Sequence, residues 1–159
     1  MYMKHVLARE RRGFTLIELL VVIGILAVLL AITLIAINPA RQFAQANNTK
    51  RSSDVNALLN AIDQYAADNK GTLPTGIDTT VKSISDTGAN ICDALVTKYL
   101  AALPVDPLTN NGTPISQVAG ACPATYDTNY TVTKSANDNR ITVAAPATEL
   151  GVTAISVTR

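Results

Sequence analysis

Between positions 19 and 37 every residue is uncharged and almost every one is apolar. Read as an α-helix, residues 14–37 extend about 36 Å at about 1.5 Å per residue, enough to cross a hydrocarbon core about 30 Å thick. No 3.6-residue alternation divides the run into a wet and a dry face, as it would in the core helix of a small soluble domain. The pattern predicts a membrane-spanning helix. Beyond it, Val55, Leu58, Leu59, Ile62, Tyr65 and Ala66 recur at spacings of three and four, which predicts an amphipathic helix to about residue 69 whose apolar face holds a soluble domain. The intervening stretch, with Arg41, Gln42, Gln45, Asn47 and Asn48, is polar almost all round and reads as a bridge between membrane and domain.

Two positions soften this long helical stretch. Pro39 cannot donate to the carbonyl of Ile35 and crowds it, so a kink is expected there. Gly24 is a second soft point, or else a place where helices approach closely, as small residues allow in membranes. Without a break, helix 14–69 would be a stalk about 84 Å long at about 1.5 Å per residue. Lys70-Gly71 and Pro74 end it.

The remainder reads as turns and strands. Residues 72–89 are a Thr-, Ser- and Asp-rich loop with one short extended piece around 81–84. Asn90 is expected to cap a short helix carrying Ile91, Leu95, Tyr99 and Leu100, stopped by Leu103-Pro104-Val105-Asp106-Pro107. Tyr130, Val132 and Lys134, then Ile141 and Val143, then Val152 to Val157 alternate with polar or small neighbours. Asn137-Asp138-Asn139 is expected to form a hairpin turn between the first two of these runs. The expected fold is α+β: a long N-terminal helix, kinked near Pro39, packed on about three antiparallel strands within residues 126–158.

Charge adds orientation. Lys4, Arg9, Arg11 and Arg12 against Glu10 leave the first thirteen residues at +3, while the rest of the chain is near −2. The positive-inside rule then keeps the N-terminus cytoplasmic, and no basic surface for nucleic acid is indicated. An ordinary secretory signal does not fit, because the small-residue junction at Gly13 precedes the apolar run. Glu18, a carboxylate inside that run, costs up to about 2.5 to 3.5 kcal/mol at mid-bilayer, which makes it a functional candidate, or else a residue at headgroup depth. Cys92 and Cys122 lie in the part expected outside the cytoplasm, where a disulfide between them is plausible; reduced buried thiols are the alternative. Catalysis finds little support, since the one histidine, His5, is near the N-terminus and neither a phosphate loop nor a cysteine beside a base is visible.

Arg12-Gly13-Phe14-Thr15-Leu16-Ile17-Glu18, followed by an unbroken apolar or small run from 19 to 32, resembles the prepilin motif of type IV pilins and type II secretion pseudopilins. Leu103-Pro104-Val105-Asp106-Pro107 is a looser likeness to the same proteins. The resemblance implies cleavage between Gly13 and Phe14 by a prepilin peptidase and N-methylation of Phe14. It implies that subunits then leave the bilayer and pack their N-terminal helices into a filament, with Glu18 near the Phe14 amine of a neighbour. Residues 1–13 would be the removed leader, 14–37 the filament-core helix, 38–70 the amphipathic half and 71–159 the extracytoplasmic globular region. The implied partners are the prepilin peptidase, identical or related pilin subunits, an inner-membrane assembly platform and membrane lipid. The expected product is a type IV pilus subunit, with a secretion pseudopilin as one alternative and a membrane-anchored extracytoplasmic binding module as another. No cofactor is expected. Some pseudopilins bind calcium in the sheet region, and Asp106, Asn110, Asp127 and Asp138 offer oxygen ligands, but no calcium-loop spacing is present and no metal residue is assigned.

Overall fold

The computed structural model describes residues 13–159, so the basic positions Lys4, Arg9, Arg11 and Arg12 lie outside the described residues. Two compact units form, divided between Pro39 and Ala40. The first holds α1, Leu16–Ile37, whose residues are all exposed. Its 22 residues extend about 33 Å at about 1.5 Å per residue, the length of a membrane span. Gly24 lies within it without interrupting the helix, and a side chain there would meet nothing within 4 Å.

The helical stretch is not one piece. Asn38 leaves the helix with φ 44° and ψ 80°, and α2, Pro39–Asp68, starts at the next residue. A proline disfavours the helical conformation in the residue before it and is itself well suited to a first helical position. Asparagine is among the few side chains that tolerate the left-handed region.

The second unit contains α2, β1 (Lys82–Ser85), α3 (Cys92–Leu95), a 3₁₀ turn (Asn110–Gly112), β2 (Asp127–Lys134), β3 (Ile141–Ala145) and β4 (Ile155–Thr158). The strands form one antiparallel sheet in the order β1-β2-β3-β4. Four strands are present where three are expected. The extra one, Lys-Ser-Ile-Ser, has a single large apolar residue, Ile84, too little for alternation to declare it, and it stands at the sheet edge outside residues 126–158. In β2 and β3 the inward positions are Thr128, Tyr130, Val132, Ile141, Val143 and Ala145. All of these but Thr128 pack with Val55, Leu58, Leu59 and Ile62 of α2 in one core. Each large apolar side chain so buried contributes about 1.5 to 3 kcal/mol.

The short helix is also reduced. α3 spans only Cys92–Leu95, and Ile91, not Asn90, precedes it. The Asn90 side chain instead accepts from the Tyr126 hydroxyl at 2.8 Å, and the backbone turns away at Thr97, φ 74°. Cys92 and Cys122 are joined in a disulfide, with Cα atoms 6.1 Å apart across a sequence separation of 30. Closing a loop of that size contributes about 3 to 4 kcal/mol in the chain-entropy account.

A buried ion pair sits inside this unit. The Arg51 side chain has no solvent exposure and donates through Nε and Nη2 to both oxygens of Asp106, itself fully buried, at 2.6 and 3.1 Å. Nη1 donates to Glu149 at 2.7 Å and to the Asn48 side-chain oxygen at 3.0 Å. Removing one member of a buried pair strands the other, at a cost of about 3 to 5 kcal/mol. Asp106→Ala should therefore lower stability by about that much, seen as a fall in the urea midpoint of the full chain in detergent at unchanged slope. The double change Arg51→Met, Asp106→Leu should recover much of the loss. A single variant within about 1 kcal/mol of wild type would show that Glu149 and Asn48 suffice to hold the guanidinium.

Candidate functional site

The site resembling the prepilin motif is the start of α1. Gly13, Phe14 and Thr15 precede the helix, with Phe14 exposed. Thr15 is extended, φ −80° and ψ 152°, and forms a reciprocal cap with Glu18. The Glu18 amide donates to Thr15 Oγ1 at 3.3 Å, while Glu18 Oε2 accepts from the Thr15 amide and from the Thr15 hydroxyl, each at 2.8 Å. A Thr followed three residues later by Glu, just before an apolar run, is the sequence form of this cap. It satisfies donors that every helix start leaves open, and it sets a negative charge at the positive end of the helix dipole.

The cap changes what Glu18 can be. Its carboxylate has a local partner, so one chain alone does not carry it bare into an apolar medium. Among the described residues Thr15 alone donates to the Glu18 carboxylate, through Oε2. Thr15 is the residue that sequence reading passed over in a functional role; the Thr-x-x-Glu spacing carries the signal.

Gly13 is not demanded by the fold. A Cβ there would meet nothing within 4 Å, and its φ lies outside the left-handed region. Gly24 is similar, and with Leu20, Val21, Ile25, Val28 and Leu29 it lines a shallow apolar notch on α1. Pro39 begins α2, and Cys92 and Cys122 are bonded to each other in the second unit.

The oxygen ligands considered for calcium have other partners. Asp106 accepts from Arg51 and from the Leu108 amide. Asp127 accepts from the Ser83 hydroxyl and the Asn129 amide at 2.8 Å each, and Asp138 pairs with Arg140 at the hairpin. Asn110 is in the 3₁₀ turn. Among the described residues no group of three or more His, Cys, Asp or Glu side chains comes together as a metal site.

A second polar cluster, which sequence reading did not find, surrounds Arg51. Glu149 is held below the ordinary carboxylate range, first by its hydrogen bond from Arg51. Asp54 is raised by burial while accepting from the Tyr130 hydroxyl at 2.8 Å, and burial with that same acidic neighbour raises Tyr130 well above an ordinary phenol. Because the Glu149 value is depressed on folding, its contribution is present above the ordinary carboxylate range and is lost as pH falls through the folded value.

A family model for the "Prokaryotic N-terminal methylation motif" matches residues 8–34. The chain is 35% identical over 106 residues to the Type II secretion system core protein G of Escherichia coli (strain K12), covering 64% of this chain and 70% of that protein. It is 34% identical over 113 residues to the protein of the same name from Aeromonas hydrophila, covering 64% and 71%. No solved structure matches the chain. A likeness of this length cannot be confined to the N-terminal motif, and it takes in most of the relatives' own length. The chain belongs to the family of type IV pilins and type II secretion pseudopilins.

Proposed function

We propose that this chain is a pseudopilin, a structural subunit of a type II secretion filament, rather than the type IV pilus subunit that the motif alone suggests. The observation that carries this reading is the likeness over 106 residues to a protein named as a core component of type II secretion. The motif is common to both kinds of filament and does not separate them.

On this reading the chain is inserted with its N-terminus in the cytoplasm, cut after Gly13 by a prepilin peptidase, and methylated at Phe14. It is stored in the inner membrane by α1 until an assembly platform draws it into a filament of identical or related subunits. The all-round exposure of α1 supports this use, because one apolar surface meets lipid first and neighbouring α1 helices afterwards. The notch at Gly24 offers a place for close helix contact. In the bilayer Glu18 is held by Thr15. In the filament the ammonium of a neighbour's Phe14 approaches the same carboxylate, and pairing relieves two charges that would each be costly alone. The disulfide fits a domain outside the cytoplasm.

Three experiments test the reading. Deleting the chain in its own cell should leave secreted proteins trapped within the envelope while surface pili persist; loss of pili with normal secretion would reverse the assignment. Gly13→Val should block cleavage without disturbing the fold, since the side chain has room. Intact mass would then show a product heavier by the thirteen-residue leader, and wild-type protein that still begins at Met1 would refute processing. Glu18→Leu should be cleaved and sit stably in the membrane, because it removes a group that costs up to about 3 kcal/mol in lipid. It should fail to enter filaments, because it strands a neighbour's Phe14 ammonium at about 3 to 5 kcal/mol. The ratio of sedimentable filament to membrane-pool protein reads this out, and a wild-type ratio would exclude the pairing.

A further inference from the structure

The inward positions of β2 end on a charge. Tyr130 and Val132 point into the core, and the same alternation sets Lys134 on that face, half-buried. The register carries this row across the sheet. Lys134 pairs with Ile141 of β3, and Ile141 exchanges backbone hydrogen bonds with Arg159, just past β4, at 2.6 and 3.0 Å. Residues opposite one another in a ladder project on one face, so two cations flank a buried isoleucine at this end of the sheet. They line a cavity of about 600 Å³ shared with the last turns of α2 and the 71–77 loop, within the size range of small-ligand sites. Its apolar wall is Ile141 with Leu73 and Ile77, which pack on the core. Its frame is fixed: the Lys134 amide donates to the Asp78 carbonyl at 2.8 Å, and the Arg159 guanidinium donates to the Asn60 side-chain oxygen and lies 3.7 Å from Asp63. Arg159 therefore has a carboxylate of its own. Among the described residues Lys134 has no ion pair.

We infer that this cavity is a binding site for a carboxylate carried on a short branched aliphatic body, with the Lys134 ammonium as its anchor. A half-buried lysine beside an apolar wall gains most from an acceptor that is charged and also brings apolar surface to displace water. Inorganic phosphate or sulfate has nothing to lay on Leu73, Ile77 and Ile141. A neutral hydrocarbon covers that wall but leaves the ammonium without the hydrogen bonds it had from water. One negative charge is enough, because Arg159 is already answered by Asp63, whose own charge at the same cavity opposes a second. Free aliphatic acids and the carboxyl end of a peptide finishing in leucine share this chemistry. The site lies wholly within the second unit, so it stands independently of the filament reading.

The test titrates the full chain in detergent, methyl-labelled at isoleucine and leucine, with isovalerate at neutral pH. The methyl resonances of Ile77 and Ile141 should shift saturably, with half-saturation at about millimolar concentration, the weak affinity expected of so few ligand atoms. Isovaleramide, of the same shape without the charge, should need about tenfold more. Lys134→Met keeps an apolar stem and removes the ammonium; it should erase the difference between acid and amide while the urea midpoint holds, and Lys134→Arg should retain the difference. Acetyl-Gly-Leu, run beside its C-terminal amide, separates the two sources. Tighter binding of this peptide acid than of isovalerate assigns the site to a polypeptide end, and the reverse order assigns it to a free acid. Equal shifts with acid and amide would overturn the inference, as would shifts confined to the methyls of α1, which mark partition into detergent. A preference for the acid that survives in Lys134→Met would overturn it too. If that variant does not fold, the comparison of acid with amide on the wild-type chain decides alone.

Discussion

The buried guanidinium of Arg51 is the constraint on which the soluble unit depends. A charge cannot be left without partners in an apolar interior, so the chain must bring acceptors to it from wherever they lie in sequence. Asp106 comes from the Pro-rich stretch after α3 and Glu149 from the β3–β4 connection, 55 and 98 residues away. Two loops far apart in sequence are thereby held to one turn of one helix. The hydrophobic core fastens the sheet to the Val55–Ile62 face of α2, while the ion cluster fastens the loops just N-terminal to it. The first is strong and non-directional; the second depends on geometry and excludes other arrangements of the same loops.

That division explains why the neighbouring polar groups are also paired. Lys50 Nζ donates to the Val105 carbonyl at 3.1 Å and lies 3.7 Å from Asp54, which in turn accepts from Tyr130 at the centre of β2. The side chains of Lys50, Arg51 and Asp54 thus connect α2 to the 103–107 loop, the sheet and the β3–β4 connection. Among the described residues no buried side-chain nitrogen or oxygen is left without a partner, the condition under which a polar cluster specifies a fold instead of weakening it.

How much of this was legible depended on periodicity. The membrane helix, the Val55 to Ala66 face and the β2–β3 hairpin repeat with clear periods, and each is where its pattern puts it. The cap at Thr15 and Glu18 was legible as a spacing, though Glu18 drew attention for its charge and Thr15 drew none. Arg51 was not legible: it follows a polar stretch and reads as a surface residue, and nothing local marks Asp106 or Glu149 as its partners. Asp106 read as a turn former or an oxygen ligand for the same reason. The strand at Lys82–Ser85 read only as a short extended piece around 81–84 and not as part of the sheet, because one isoleucine among serines carries no alternation, and α3 is shorter than its apolar spacing suggested because Thr97 turns the chain. Local chemistry predicts local structure here; a pairing across about a hundred residues is decided by burial, which no window of sequence contains.

The start of α1 faces a different problem, that of one carboxylate in two media. In lipid an acid is tolerated only with its own donors, and the Thr15 amide and hydroxyl supply them from the same chain. In a bundle of apolar helices those donors remain, since the cap is internal to the helix start. Assembly therefore does not have to break the cap to use the charge. Under the assembly proposed above, a neighbour's ammonium would come to the Glu18 carboxylate while Oε2 stays with Thr15. What changes between the two states is only whether the negative charge is balanced, and an imbalance that is modest near a headgroup becomes large when water is excluded on every side. Under the proposed assembly, Thr15 is the residue that would let the acid be stored in the membrane, and Glu18 the one whose charge would favour departure from it.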